Sequence, residues 1–284
     1  MKRPLLRGVF NMGRLDQSRA VAGRNLANGR PCTLVSLSVF GAMLLTAGAI
    51  LAGSASARAA DGGLTAQERQ AGFRPVFNGV DLTGWEGAGK PANACWLVEG
   101  GMLVCDGKSG PWLRSRQRYD DFNFRFDYRL EPGGNSGVYV RVPANGNHHR
   151  HKPEEPEAGF EIQLLDDQDE RYAALKDYQY TGSVYAISPA TMRVCKPAGE
   201  WNTMEIDCLK GDVTVVHNGH LVVSAAAADL PSLALRCERG FLGLQNHSSR
   251  VWFRNLRIGP AVGPPASATA VEKADANSQP PSKD

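Results

Sequence analysis

The chain is predicted to be all-β, with its strands packed as a two-sheet β-sandwich or jelly roll. Three observations carry this. Short runs alternate apolar and polar residues with a period of two, and clusters of Gly, Pro and Asn separate them. Sustained helical periodicity is confined to brief stretches near 64–71 and 170–175. Strands with a single apolar face must bury it against another layer, and two packed sheets are the simplest solution. No internal repeat of fixed period is present, which argues against a propeller.

The ends read differently from the middle of the 284 residues. Lys2, Arg3, Arg7, Arg14, Arg19, Arg24 and Arg30 stand against Asp16 alone, and an apolar run follows over 34–51. That run is at the lower limit for a bilayer span, and it leads to Ala57-Arg58-Ala59, a small-x-small cleavage pattern. A signal peptide with a basic leader is therefore expected over 1–60, with delivery to the periplasm, the medium or the cell surface. No second long apolar run follows, so no stable membrane insertion is expected after cleavage. Residues 260–284, rich in Pro, Ala, Ser and charge, are expected to form a disordered tail. One domain over 64–259 remains.

The formal charge of +3 is inflated by the leader. No basic run interleaves with aromatics in the domain, which excludes nucleic acid as a partner. Of six cysteines, Cys32 falls in the leader, leaving Cys95, Cys105, Cys195, Cys208 and Cys237. Cys95 and Cys105 lie symmetrically about Gly100-Gly101, the expected turn of a hairpin, either as a bridge or as two small apolar residues. No cysteine pair has zinc-ligand spacing.

Taken in order, the clearest strand covers 122–130, where Phe122, Phe124, Phe126, Tyr128 and Leu130 alternate with Asn123, Arg125, Asp127 and Arg129. The turn Pro132-Gly133-Gly134-Asn135 leads to a second, where Val138, Val140 and Val142 alternate with Gly137, Tyr139 and Arg141. In a third, Phe160, Ile162 and Leu164 alternate with Glu161, Gln163 and Leu165, with Asp166 next. Further strands are expected over 204–209, 213–217, 220–224, 241–246 and 251–258, with Asn218-Gly219 as a hairpin turn.

If the three clear strands are neighbours, their outer faces pool Arg125, Asp127, Arg129, Tyr139, Arg141, Glu161 and Gln163. Carboxylates and amides bind hydroxyls, and nearby Tyr and Trp rings pack on pyranose faces, so such a surface suits a carbohydrate. Glu161 and Asp166 would face opposite sides of a regular strand; a bulge near Leu164-Leu165 would bring both to one side. Two carboxyl groups roughly 5–9 Å apart can cleave a glycoside. This strand is similar to the Glu-x-Asp-x-x-Glu strand of jelly-roll glucanases, but Gln163 replaces the middle Asp and Asp166 the last Glu, which disfavours an ordinary retaining mechanism. His148-His149-Arg150-His151 is read as a polar loop with no implied ligand geometry.

A closer resemblance spans most of 73–258. Phe77-Asn78-Gly79-Val80-Asp81-Leu82-Thr83-Gly84-Trp85, Gly134-Asn135-Ser136-Gly137-Val138, Gly159-Phe160-Glu161-Ile162-Gln163 and Thr181-Gly182-Ser183-Val184-Tyr185 occur in order. Gly199-Glu200-Trp201-Asn202, His217-Asn218-Gly219, Gln245-Asn246-His247 and Phe253-Arg254-Asn255-Leu256 continue the series. Together they resemble the 3-keto-disaccharide hydrolase domain family. At Asn246-His247-Ser248 that family commonly has Asp-His-Gly; the histidine is kept. The resemblance implies a concanavalin-like jelly roll, export, and hydrolysis of a disaccharide or glycoside whose sugar is oxidised at C3.

A 3-keto group acidifies the C2 hydrogen and places the glycosidic oxygen β to the carbonyl, so cleavage can proceed by elimination and then hydration. That route needs a base at C2, a stabiliser at the C3 oxygen and an acid at the leaving oxygen. Glu161 or His247 is the candidate base, Arg141 the stabiliser, and Asp166 or His247 the acid. A divalent metal could replace Arg141, although no ligand set is identifiable. Gln163, Tyr185, Asn135, Tyr139 and Arg125 are candidate substrate contacts. The competing class is a carbohydrate-binding or laminin-G-like adhesion module without catalysis. Catalysis is preferred because a binding face seldom needs two carboxylates, an arginine and a histidine together.

Overall fold

A computed structural model of the chain describes residues 63–263. The expected leader (1–60) lies outside the described residues, as do residues 264–284 of the tail expected over 260–284. The described residues open with α1 (Ala66–Gln70), whose Thr65 and Glu68 form a reciprocal capping box. The strands that follow are β1 (Arg74–Pro75), β2 (Trp85–Gly87), β3 (Trp96–Glu99), β4 (Met102–Asp106), β5 (Leu113–Tyr119), β6 (Phe122–Leu130), β7 (Asn135–Val142), β8 (Phe160–Leu165), β9 (Asn202–Leu209), β10 (Asp212–His217) and β11 (His220–Ala225). A short helix, α2 (Pro231–Ala234), precedes β12 (Gly240–Leu244) and β13 (Arg250–Gly259).

Two antiparallel sheets result, a sandwich of jelly-roll type. An eight-stranded sheet runs β11-β10-β9-β6-β13-β4-β3, with β1 also paired to β13. A five-stranded sheet runs β2-β5-β12-β7-β8. Both hairpin turns expected from glycine occur. Gly100 and Gly101 (φ 55° and 78°) join β3 to β4, and Asn218 and Gly219 (φ 49° and 83°) join β10 to β11, the left-handed pair that such turns require. A third two-residue turn, Lys210-Gly211, joins β9 to β10. Cys95 and Cys105 come to neighbouring positions as unbridged thiols, and burial first of all pushes the Cys105 thiol up to about 12.

The core lies between the sheets. Phe122, Phe124, Phe126, Tyr128 and Leu130 of β6 point inward, as their alternation demands, against Val138, Val140, Phe160, Ile162 and Leu164 of the other sheet. Burying each large side chain contributes about 1.5–3 kcal/mol relative to exposure.

Three expectations fail here. The strand at 122–130 does not adjoin those at 135–142 and 160–165: β6 sits in the eight-stranded sheet, while β7 and β8 pair in the other. Arg125 consequently lies on the outer face of the wrong sheet for the proposed carbohydrate surface. There it pairs with Glu68 of α1 and Glu205 of β9, both at 3.1 Å. The β7-β8 register is unbroken from Asn135↔Leu165 to Val140↔Phe160, so the bulge invoked to turn Asp166 beside Glu161 is absent. Asp166 instead accepts the Gly133 backbone N–H at 2.8 Å and closes the β6-β7 turn.

The bulge that does occur lies one strand away. Against β12, β7 carries an extra residue between Tyr139 and Val142, and Arg141 there adopts φ 51°. A Cβ on Gly240 would lie 2.2 Å from backbone atoms of Arg141, and one on Gly159 would lie 2.2 Å from the Val140 carbonyl oxygen. Glycine on each side thus admits the bulge. Its effect is to swing Arg141 off the face shared by Gly137 and Tyr139. The guanidinium, 2% exposed, donates to the carbonyls of Asp120 and Lys210 and to the Asp121 carboxylate.

Candidate active site

Strand alternation places Gly137 and Tyr139 of β7, and Glu161 and Gln163 of β8, on the outer face of the five-stranded sheet, with Tyr139 opposite Glu161 and Gly137 opposite Gln163. Three connections close over this face. The segment 143–159 returns with His148 and His149, the stretch after Tyr180 brings Tyr185, and the β12-β13 link brings Gln245 and His247. With Asn135, these side chains enclose a cavity of about 230 Å³.

Glu161 is the centre of the cavity. It is 3% exposed, its Oε1 is buried without a hydrogen-bond partner, and its Oε2 lies 3.4 Å from His148 Nε2. Burial raises its carboxyl to about 8, so at neutral pH it holds a proton. Gly137 makes the space it occupies, since a Cβ there would fall 1.9 Å from Oε1. Gly137→Ala is tolerable to the backbone, whose φ is not positive, but it must displace the carboxyl. We expect the fold to persist and turnover to fall by up to about a hundredfold, the cost of misplacing a reacting group by roughly 1 Å; steady-state kinetics beside a thermal melt check this.

His148 stands against the Tyr139 ring, with centroids 4.6 Å apart. Its Nδ1 is 3.0 Å from the Gly146 carbonyl, which only accepts, so Nδ1 carries the proton and Nε2 offers a lone pair toward Glu161. Burial lowers the His148 pKa and the charges of His149 and Arg236 lower it further, while burial and Arg236 do the same at His149. A protonated carboxyl facing a neutral imidazole is a unit that shares one proton.

Besides the imidazoles of His149 and His247, the remaining lining is amide and hydroxyl. Gln163 Nε2 donates to Asn135 Oδ1 at 3.1 Å, Gln179 Nε2 to the Tyr185 hydroxyl at 2.9 Å, and Gln245 Nε2 to the Tyr139 hydroxyl at 3.2 Å. Gln245 Oε1 is buried without a partner, an acceptor left for a hydroxyl. Among the described residues no three His, Cys, Asp or Glu side chains converge on a metal-binding geometry. Nor is any helix among them long and apolar enough to cross a membrane.

Residues 72–259 match the 3-keto-alpha-glucoside-1,2-lyase-like domain. The chain belongs to that family. A 3-keto-disaccharide hydrolase of Bacteroides thetaiotaomicron is 27% identical over 227 residues, covering 66% of this chain and 78% of that one. Two crystal structures of candidate glycosyl hydrolases from Parabacteroides distasonis are also similar. One is 27% identical with a TM-score of 0.58, covering 69% of this chain and 97% of its own. The other is 25% identical with a TM-score of 0.56, covering 66% and 98%.

Within this 3-keto-glucoside lyase-like domain, Glu161, Gln163, Asn135, Tyr185 and His247 meet in one cavity, with Tyr139 packed beneath it. Arg141, Asp166 and Arg125 do not; each is committed to the structural contacts described above. His148, His149 and Gln245 are the members that the sequence reading passed over. The loop composition around the two histidines hid them. The one signal available was their place between two strands of the motif series, where a long connection has to cross a sheet face.

Proposed function

We propose that the protein is an exported enzyme that cleaves the glycosidic bond of 3-keto-disaccharides or 3-keto-glycosides, by elimination and then hydration, in the Glu161 cavity. The observation that carries this reading is the buried Glu161 carboxyl, held protonated against a neutral His148 with one oxygen unpartnered. Such a group suits proton transfer at neutral pH, because its pKa lies close to the working range. Family membership favours a 3-keto-sugar over an unoxidised one, and the basic leader with its apolar run favours export.

In this mechanism the shared proton moves to His148 Nε2, and the Glu161 carboxylate removes the C2 hydrogen. The amide N–H groups of Gln163, Asn135 and Gln245 receive the charge that develops on the C3 oxygen. The C1–O bond breaks, and the His148 imidazolium protonates the leaving oxygen, so the pair again holds one proton. Water then adds across C1 and C2: its hydroxyl bonds to C1, Glu161 delivers to C2 a proton that has exchanged with solvent, and the proton left by the water restores the pair, giving a free 3-keto-sugar and an alcohol.

The test is incubation with a 3-keto-disaccharide and with its unoxidised parent, in D2O beside an enzyme-free control. Release of both products from the keto form alone, with deuterium at C2 of the keto product above the control, is expected. Equal cleavage of the parent overturns the substrate reading. Cleavage without C2 deuterium overturns the elimination route, and binding without turnover points to a carbohydrate-binding module.

A further inference from the structure

Arg236 touches none of the cavity, yet its place in the fold ties it to the groups that line it. It follows α2 and is 8% exposed. Its Nε donates to the Ser232 carbonyl at 2.9 Å, and its Nη1 donates both to the His148 carbonyl at 3.1 Å and to the Gly159 carbonyl at 3.3 Å. The last two acceptors lie near opposite ends of the returning segment: His148 is the imidazole facing Glu161, and Gly159 stands two residues before Glu161 itself. The clasp is reinforced by the Cys237 N–H on the Ala158 carbonyl at 2.9 Å and by Arg150 Nη1 on the Leu235 carbonyl at 3.0 Å. Among the described residues no carboxylate hydrogen-bonds to the Arg236 guanidinium, so a buried positive charge is held on carbonyl dipoles, a costly arrangement for a residue with only a packing role.

We propose that Arg236 is the positioning residue of the site: it clasps the 143–159 segment over the sheet face so that His148 meets Glu161 and both His148 and His149 stay packed there. The proposal rests on the proton-transfer role assigned to the Glu161 cavity. The other groups facing His148 are Tyr139 from β7, Glu161 from β8 and His149 beside it. Gln245 and His247 close the cavity from the β12-β13 link. His149 additionally faces Tyr185 and feels the charge of His151. Burial is the main cause of the lowered pKa of both imidazoles and the Arg236 charge a smaller one, so releasing the clasped segment should let both protonate at higher pH.

The experiment compares wild type, Arg236→Met and Arg236→Lys by NMR titration of the histidines, assigned through His148→Asn and His149→Asn, and by kcat and KM on a 3-keto-disaccharide. In Arg236→Met the loosened segment lets water reach the imidazoles, so the titrations of His148 and His149 should both move up, and kcat should fall about tenfold or more while KM moves less. Arg236→Lys should move the titrations less and lose part of kcat, because an ammonium keeps the charge without the planar fork that spans two segments. Wild-type histidine titration in Arg236→Met overturns the proposal. So does wild-type kcat in Arg236→Lys, which decides alone if the Met variant does not fold. The titration needs no substrate: if it moves as stated while wild type fails to turn over the keto-sugar, the functional reading falls and the positioning role of Arg236 stands.

Discussion

Glu161→Gln should lower kcat/KM on a 3-keto-disaccharide by about 10²–10⁴-fold, the range for losing a general acid or base, and should at the same time make the protein more stable at alkaline pH. The second half follows from the same burial that prepares the group for catalysis. With the carboxyl raised from 4.5 to about 8, the folded state binds a proton that the unfolded chain has already released. Between those two values stability therefore falls as pH rises; the penalty is absent below about 4.5 and complete above about 8. At about 1.4 kcal/mol per pH unit of displacement, it reaches a few kcal/mol. Glutamine fills the same space with no charge to desolvate, and its amide can donate to His148 Nε2. Melting temperatures of the two proteins should coincide near pH 4.5, diverge as pH rises to about 8 and stay apart above it, with the variant higher. An inactive variant that melts with wild type at every pH would show that the carboxyl is not buried as described, and an active one would remove Glu161 from the chemistry.

The other large effect is one of stability with no catalytic counterpart. Arg141→Met should cost roughly 1–3 kcal/mol, because the buried guanidinium's hydrogen bonds to the Asp120 and Lys210 carbonyls and its ion pair with the more exposed Asp121 carboxylate are lost together. Methionine keeps the apolar stem, so the loss isolates the polar contacts from cavity formation. Urea unfolding gives the cost, and kcat of the folded protein should be that of wild type, since the guanidinium points away from the Glu161 cavity. A stable Arg141→Met protein with greatly reduced kcat would restore Arg141 as the enolate stabiliser and displace the amides from that role.

These two residues show how far a strand pattern can be trusted. Glu161 and Arg141 both stood at outward positions in runs with clean alternation, and for Glu161 the alternation holds because β8 pairs with β7 in unbroken register. For Arg141 a single extra residue, admitted by Gly159 and Gly240 on the flanking chains, rotates everything beyond Tyr139. Glycines in the neighbouring segments cannot be matched to a bulge until the strand order is known. Asp166 fails for the complementary reason: a bulge was invoked where none exists, and an acid just past a strand end did what short acids commonly do, capping a turn N–H.

The sequence by itself determined the all-β class, the two hairpin turns, the inward face of each long strand and the family to which the domain belongs. These depend on period-two alternation, on left-handed backbone angles that favour Gly and Asn, and on ordered motifs, all of which are local along the chain. Only the tertiary structure decided that β6 lies in a different sheet from β7 and β8, that Arg125 and Arg141 leave the site, and that His148 and His149 enter it. Alternation assigns a side chain to a face but says nothing of which sheet that face belongs to. A connection such as 143–159 is placed by contacts with α2 and Arg236, far away in sequence. The Glu161 carboxyl takes its character from that closure, because burial, which no single strand supplies, is what raises its pKa.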